Sequence, residues 1–356
     1  MRQQSRREFL SLAAASAMTA SLIDASQAAG LNPRQLQSND KAQLAPRTQF
    51  DGPSLKFDFP GLQIGVAEYA EGPTGCTIFY FPQRANIVVD PRGGSPGTIW
   101  TEQLHAGDGW IDAICLAGGS LYGLEAATGV SAELFAMRNY STAWNDIALV
   151  TGAIIFDFPP RKNAIYPDKA LGRAALKSAR AGVFPLGPRG AGCSATVGKW
   201  LLPPYQREKA GQGAAFRQVG PTKVAVFNVV NAVGAIINRQ GEVVRGHLDP
   251  RTGRRRRVSD VTGFEPVSES GTTKGNTTLT VVVTNQKLSP RSLRHLAGQV
   301  HDSMARAIDP WHTENDCDTL FAVTTNEITN PKVNEYVLSW IASELAWDAA
   351  LSSFEK

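Results

Sequence analysis

The stretch Gly275-Asn276-Thr277-Thr278-Leu279-Thr280-Val281-Val282-Val283-Thr284 decides how this chain is read. From Thr277 on, every residue except Leu279 is Thr or Val, the β-branched composition of a strand. Gly and Asn tolerate positive φ and favour a tight turn, so the strand begins abruptly at Thr277 after the polar run Glu265 to Lys274. A threonine in that position carries its hydroxyl beside its own preceding carbonyl. Attack on that carbonyl moves the acyl group from nitrogen to oxygen, and hydrolysis of the ester frees Thr277 as a new N-terminus. The freed α-amine then serves as base for a hydroxyl that is a poor nucleophile alone. Its ordinary pKa, about 7.7–8.0, lies much nearer neutrality than the roughly 10.4 of lysine. Taken by itself, Asn-Thr-Thr before a strand is more often ordinary hairpin chemistry.

Working outward, Thr319 to Thr324 is a second strand, and Ser289-Pro290 opens a helix with a capping hydroxyl and a first-turn proline. Leu293, Leu296, Val300, Met304 and Ala307 recur at helical spacing, with Leu288 placed to staple against Leu293. Tyr336 to Leu351 reads as a closing helix. Upstream, Ile64–Tyr69, Thr77–Phe81, Val224–Val230, Ala235–Asn238 and Glu242–Val244 read as strands, and Asn238-Arg239-Gln240-Gly241 as a hairpin turn. The apolar run from Ile147 to Phe158 predicts one long buried strand. Helices are expected after Tyr122 and from Tyr166-Pro167-Asp168. Strands and helices mixed in this way predict an α/β fold of stacked layers with buried sheets.

The chain has 356 residues, 42% hydrophobic and 19% charged, which is globular composition and allows one large domain or two ordinary ones. A net charge of +4 is too mild to imply nucleic acid, and the run Arg254 to Arg257 lacks the aromatic partners such binding needs, so it reads as a solvated loop tip. Four cysteines (Cys76, Cys115, Cys193, Cys317) do not make a disulfide framework and read as core or site residues. Residues 1–29 carry an arginine pair, Arg6-Arg7, with Phe9-Leu10 behind it, an Ala-rich mild apolar stretch and a small-residue end at Ala28-Ala29. This is the pattern of a twin-arginine export signal, so the folded chain is expected in the periplasm or outside the cell, with no membrane attachment once the signal is removed. Residues 30–54 read as a flexible lead-in and 55–356 as the functional domain.

Common chemistries are missing. Gly192-Cys193-Ser194-Ala195-Thr196 lacks the last glycine of a nucleophile elbow, and Gly192 to Trp200 has the wrong spacing for a phosphate loop. His105, His247, His295, His301 and His312 form no zinc-type pair. The tract His312 to Asp318 could ligate a hard cation but lacks the length and terminal glutamate of a calcium loop. Neither cofactor nor metal is expected.

Seven ordered blocks carry a resemblance. They are Phe-Asp-Phe-Pro-Gly from Phe57, Glu-Gly-Pro-Thr-Gly from Glu71, Ile-Cys-Leu-Ala-Gly-Gly from Ile114 and Tyr-Pro-Asp-Lys-Ala-Leu-Gly-Arg-Ala-Ala-Leu from Tyr166. Gly-Gln-Gly-Ala-Ala-Phe-Arg from Gly211, Gly-Asn-Thr-Thr from Gly275 and Asp-Thr-Leu-Phe-Ala-Val-Thr-Thr from Asp318 complete the set. Over about Phe57 to Ala349 the chain resembles the self-cleaving N-terminal-nucleophile amidases that include the D-aminopeptidase/D-esterases and β-peptidyl aminopeptidases, and most of all the nylon-oligomer (6-aminohexanoate-oligomer) endohydrolases. The resemblance implies a four-layer αββα sandwich, a single domain of two fragments cut between Asn276 and Thr277, with the small fragment running from Thr277 to Lys356. It also implies assembly of these αβ units into homo-oligomers, often tetramers.

Residue by residue, the resemblance makes Thr277 the nucleophile and Lys199 a neighbour that keeps its amine less protonated. It makes Asn231 the oxyanion donor, and Asp316 and Asp318 the carboxylates that balance the amines. Phe156 stands where a tyrosine is expected, which removes a hydroxyl from the substrate pocket, and Cys317 stands where a smaller residue is expected. The implied substrates are linear ω-amino-acid oligoamides. The alternatives are aminopeptidase action on β- or D-amino-acid peptides, acyl transfer to an amine as in ornithine acetyltransferases, and an uncut, non-catalytic exported binding protein.

Overall fold

Alternating β-branched and apolar residues organise this protein around one folded sheet. The computed structural model describes residues 36–107, 109–262 and 275–354, and the body considered below lies within Ser38–Lys356. The stretch read as an export signal and the polar run Glu265 to Lys274 lie outside the described residues. In chain order the principal elements are β1 (Gln63–Tyr69), β2 (Thr74–Pro91), β3 (Gly109–Ala117), α1 (Glu125–Met137), β4 (Val150–Ile154) and α2 (Lys169–Lys177). They continue with β5 (Gln212–Val219), β6 (Thr222–Asn231), β7 (Thr277–Gln286), α3 (Pro290–Ser303), β8 (Thr319–Ile328) and α4 (Glu335–Leu351).

Strand β2 is the spine. Its first half, Thr74 to Tyr80, pairs antiparallel with β1 and β3, and its second half, Asn86 to Pro91, pairs antiparallel with β8. The β2–β3 register slips between Tyr80 and Ala85, where Arg84 takes a φ of 60°, and such an irregularity bends a strand. The sheet runs β5-β6-β7-β8-β2-β3-β4, with β7 parallel to β8 and β3 parallel to β4. Its two halves face each other. Phe79 of β2 and Phe227 of β6 pack with ring centroids 5.2 Å apart, in one buried cluster with Ile114, Val281 and Phe321.

Period-two alternation assigns the faces. Leu279, Val281 and Val283 of β7 point into the space between the half-sheets, whereas Val282 points outward onto α3 and α4 through Leu293, Leu296, Ile341 and Leu345. On the opposite side Cys76, Ile78 and Cys115 meet Val130 and Leu134 of α1 and Leu171 and Ala175 of α2. The layers are therefore helix, sheet, sheet, helix, as expected for an αββα sandwich.

The helix signals around Ser289 hold: its side chain accepts from the Ser292 N–H, and Pro290 occupies the first turn. In α2 the cap is Asp168, which accepts from the Leu171 N–H, so Pro167 stands just outside the helix instead of in its first turn. Residues Ile147 to Phe158 are not one long strand. Only Val150–Ile154 pairs, because Asp157 then leaves the sheet to accept hydrogen bonds from Thr74 and the Gly119 N–H, and Pro159 and Pro160 offer no ladder donor. Part of the stretch read as a lead-in is tied down: Asn39 donates to Tyr166 and Asp168, and Arg47 bridges to Glu68. Nor is the arginine run wholly solvated. Arg255 grips Glu208 with two nitrogens, and Arg257 donates to the Gly241 carbonyl.

Candidate active site

Thr277 opens β7 at the point where that strand leaves a turn. Gly275 makes the turn with a φ of +81°, and a Cβ there would run into the ring of Phe156, so only glycine fits. Thr277 is fully buried, and its register partner across the antiparallel pair is Asn231, the last residue of β6. Paired residues of neighbouring strands carry their side chains on one face. The hydroxyl of Thr277 donates to the carbonyl oxygen of Asn276 at 2.5 Å. That oxygen also accepts the backbone N–H of Cys317 at 2.8 Å, while the Asn276 N–H donates to the Asn315 carbonyl at 3.2 Å. The Asn276–Thr277 carbonyl is thus polarised by a fixed backbone donor and faced by a hydroxyl.

Lys199 comes from the loop after Thr196–Val197, tied to β6 and its exit by backbone bonds from Gly198 and Lys199 to Gly234 and Val233. Its ammonium donates to the Asn231 carbonyl at 2.8 Å and to Asn231 Oδ1 at 3.0 Å. Burial pulls its pKa down to about 7, against the opposing pull of Asp316. Asn231 is saturated on its oxygen side, since Oδ1 also accepts the Thr196 N–H, and its amide donates to the Phe156 carbonyl at 3.0 Å. One N–H of that amide is already engaged, which leaves the second for an oxyanion.

The two carboxylates follow on the approach to β8, and their roles divide. Asp318 accepts the Thr278 N–H on Oδ1 and faces His312 Nδ1 with Oδ2 at 3.0 Å. Asp316 accepts Thr313 N–H and Oγ1 on Oδ2, while its Oδ1 is buried without a partner. Burial, then the adjacent charge of Asp318, push Asp316 up to about 6. The Cys317 thiol lies against the Thr277 hydroxyl, and burial raises its pKa. Among the described residues no three His, Cys, Asp or Glu converge to hold a metal ion, the His312 to Asp318 tract included.

Beside this cluster opens a cavity of about 210 Å³ walled by Phe156, Pro159 and Pro160, with Lys199 and Arg207 as its charged lining residues. A buried ion pair holds the wall: Arg161 and Asp157 meet at 2.7 Å with both side chains shielded from solvent. Phe156 forms part of the wall through its ring and holds Asn231 through its backbone carbonyl. Lys199, Asn231, Thr277, Asp316 and Asp318 are therefore brought together, as the residue-by-residue resemblance implied. His312 was missed, because its only sequence signal is proximity to two aspartates, a pattern also compatible with a solvated turn.

The fold and this constellation define an αββα hydrolase with a threonine at a strand start. The structure shares its fold with a Burkholderia sp. beta-aminopeptidase, at a TM-score of 0.60 and 15% identity over 85% of this chain and 88% of that one. It shares it also with the L-aminopeptidase D-Ala-esterase/amidase from Ochrobactrum anthropi, described as a variant of the Ntn hydrolase fold, at a TM-score of 0.56 and 14% identity over 86% and 88%. Residues 57–355 match the model of peptidase family S58, and the chain belongs to that family. A 6-aminohexanoate-oligomer endohydrolase from Agromyces sp. (strain KY5R) is 47% identical over 333 residues, covering 88% of this chain and 90% of the relative. The protein is a hydrolase acting on amide bonds.

Proposed function

We propose that this protein is an exported threonine amidohydrolase that cuts its own chain between Asn276 and Thr277 and then hydrolyses linear ω-amino-acid oligoamides of the 6-aminohexanoate type. One observation carries the reading: the Thr277 hydroxyl lies 2.5 Å from the Asn276 carbonyl oxygen, which the Cys317 N–H already polarises. In the first stage Oγ1 bonds to the Asn276 carbonyl carbon, the C–N bond breaks, and the proton passes to the departing nitrogen. Water then hydrolyses the ester. The Thr277 nitrogen is an amide at this stage and no base, so proton traffic falls to neighbours that titrate near neutrality, Lys199 at about 7 and Asp316 at about 6. In the second stage the freed α-amine takes the hydroxyl proton, Oγ1 attacks the substrate amide, the amine product leaves with that proton, and water releases the acyl group. A free N–H of Asn231 is available to the developing oxyanion.

The substrate reading rests on the 47% identical relative and on the cavity. Apolar walls suit a methylene chain. The lining residues include two basic side chains, Lys199 and Arg207, and no carboxylate, so nothing among them counters the ammonium that an aminopeptidase must bind. The test compares an N-acetylated with a free-amine oligoamide of equal length, alongside intact mass of the purified protein. Fragments meeting at Asn276 and Thr277, and turnover of both oligomers, support the proposal. Turnover of the free amine alone favours the aminopeptidase alternative. An active protein of full length overturns self-processing.

A further inference from the structure

The nucleophile strand is anchored from outside the cluster described so far. Asp318 spends one oxygen on the Thr278 N–H, immediately after the nucleophile, and presents the other to His312 Nδ1 at 3.0 Å. A carboxylate oxygen accepts, so the hydrogen sits on Nδ1 of His312. The Nε2 of His312 is buried and has no partner. Against this ring stands His301, at 89° and 4.5 Å between centroids. His301 repeats the arrangement: its Nδ1 faces Asp90 Oδ2 at 3.2 Å, its Nε2 is buried without a partner, and the side chain is fully shielded. Burial lowers the His301 pKa. Trp311 also packs on His312, 4.3 Å between centroids, and stands 5.8 Å from His301. His312 is thereby clamped in orientation by two rings while its single polar contact points at Asp318.

We propose that His312 is a positioning residue for the Thr277 chemistry: its Nδ1–H fixes Asp318, and Asp318, through the Thr278 N–H, holds the start of β7 so that the Thr277 hydroxyl stays over the Asn276 carbonyl. His312 touches none of the reacting atoms. The inference rests on the self-processing reading above. A purely packing role would require only the volume of the ring, whereas a positioning role requires a donor at the place of Nδ1. The backbone of His312 has a φ of 55°, a conformation that asparagine and glycine adopt readily, so those replacements change the side chain with little backbone strain. Asparagine puts an N–H where Nδ1 stands; glycine removes the donor and leaves room for free imidazole.

The experiment synthesises full-length wild type, His312→Asn and His312→Gly in a cell-free system and follows loss of the intact precursor on denaturing gels. Melting temperatures are taken in a Thr277→Ala background so that cleavage does not confuse them. Displacing the hydroxyl by about 1 Å costs on the order of 100-fold in rate, so His312→Gly is expected to split ~100-fold more slowly. Free imidazole should restore at least part of that loss, and His312→Asn should remain within roughly tenfold of wild type. In protein that has been cut, His312→Gly should lower kcat on an oligoamide with KM little changed. A folded His312→Gly that splits at the wild-type rate overturns the proposal. So does a folded His312→Asn as slow as His312→Gly. If the glycine variant does not fold, the asparagine variant decides alone. A wild type that behaves like Thr277→Ala and never splits overturns the self-processing reading itself, a result distinct from any of these.

Discussion

At the scale of single residues, burial holds Lys199, Asp316 and Cys317 away from their ordinary ionisation. Thr277→Ala should give an uncut chain with activity lower by roughly 10⁴-fold or more, read by denaturing gel and by oligoamide turnover. Thr277→Ser keeps a hydroxyl at the same position and should still split. Asp316 offers a test with a definite sign. Its folded pKa of about 6 lies above the ordinary 3.8, so the fold disfavours the charged form. The resulting destabilisation is absent below 3.8, grows as pH rises from there to about 6, and is complete above, where it amounts to ~3 kcal/mol. Asp316→Asn keeps the acceptor for Thr313 and removes the charge. In a Thr277→Ala background, where neither chain is cut, its melting temperature should exceed that of the Asp316 parent at pH 8 and converge with it near pH 3.8, while with Thr277 present self-cleavage is impaired. Equal melting temperatures at pH 8 would show that Asp316 is not strained. Lys199 adds a kinetic counterpart: self-cleavage should quicken as pH rises through about 7, where the buried amine loses its proton.

At the scale of elements, the helical layer over the β1–β2–β3 half-sheet depends on close backbone approach. Gly172 of α2 lies so near the Ala126 carbonyl of α1 that an added Cβ would overlap it, and Gly129 of α1 is in the same position against Lys169. Gly172→Ala should therefore destabilise the fold by about 1–3 kcal/mol through overpacking, despite the better helix propensity of alanine. Chemical denaturation would measure it, and a stabilised variant would refute the packing argument. Much at this scale was legible in advance. The Thr/Val run of β7 and the Ser289-Pro290 start of α3 follow from local sterics and capping. What sequence misjudged was Ile147 to Phe158, where apolar character continued past the point at which Asp157 and two prolines took the chain out of the sheet. It also misread Arg255, whose partner Glu208 lies 47 positions away and leaves no local trace.

At the scale of the whole molecule, the proposed cut falls at the edge of an element but in the middle of the architecture. The segment after Thr277 contributes β7 and β8 to the centre of the sheet, between β6 and β2, together with both helices of one outer layer. After cleavage the two fragments should therefore co-elute on gel filtration and unfold in one cooperative transition, separating only in denaturant. Two resolved melting transitions would contradict this. Packing also explains why the cluster is confined to one end of the strands. The parallel β7–β8 pair places Leu279 opposite Thr319, which sets the residues just before each strand, Asn276 and Asp316, side by side.

The sequence by itself determined the strand that begins at Thr277, the glycine turn before it, the helix starts and the layered α/β class, because those depend on side-chain branching, φ preference and hydrophobic period within a few residues. The family resemblance, taken residue by residue, also pointed to Lys199, Asn231, Asp316 and Asp318. Only the tertiary structure decided what these groups do to one another: that Lys199 rests on Asn231, that Asp318 holds the Thr278 amide, and that His312 stands behind Asp318, packed against His301, which in turn faces the distant Asp90. Ionisation, orientation and water exclusion are set by which surfaces meet when the sheet folds on itself, and that information belongs to the packed chain.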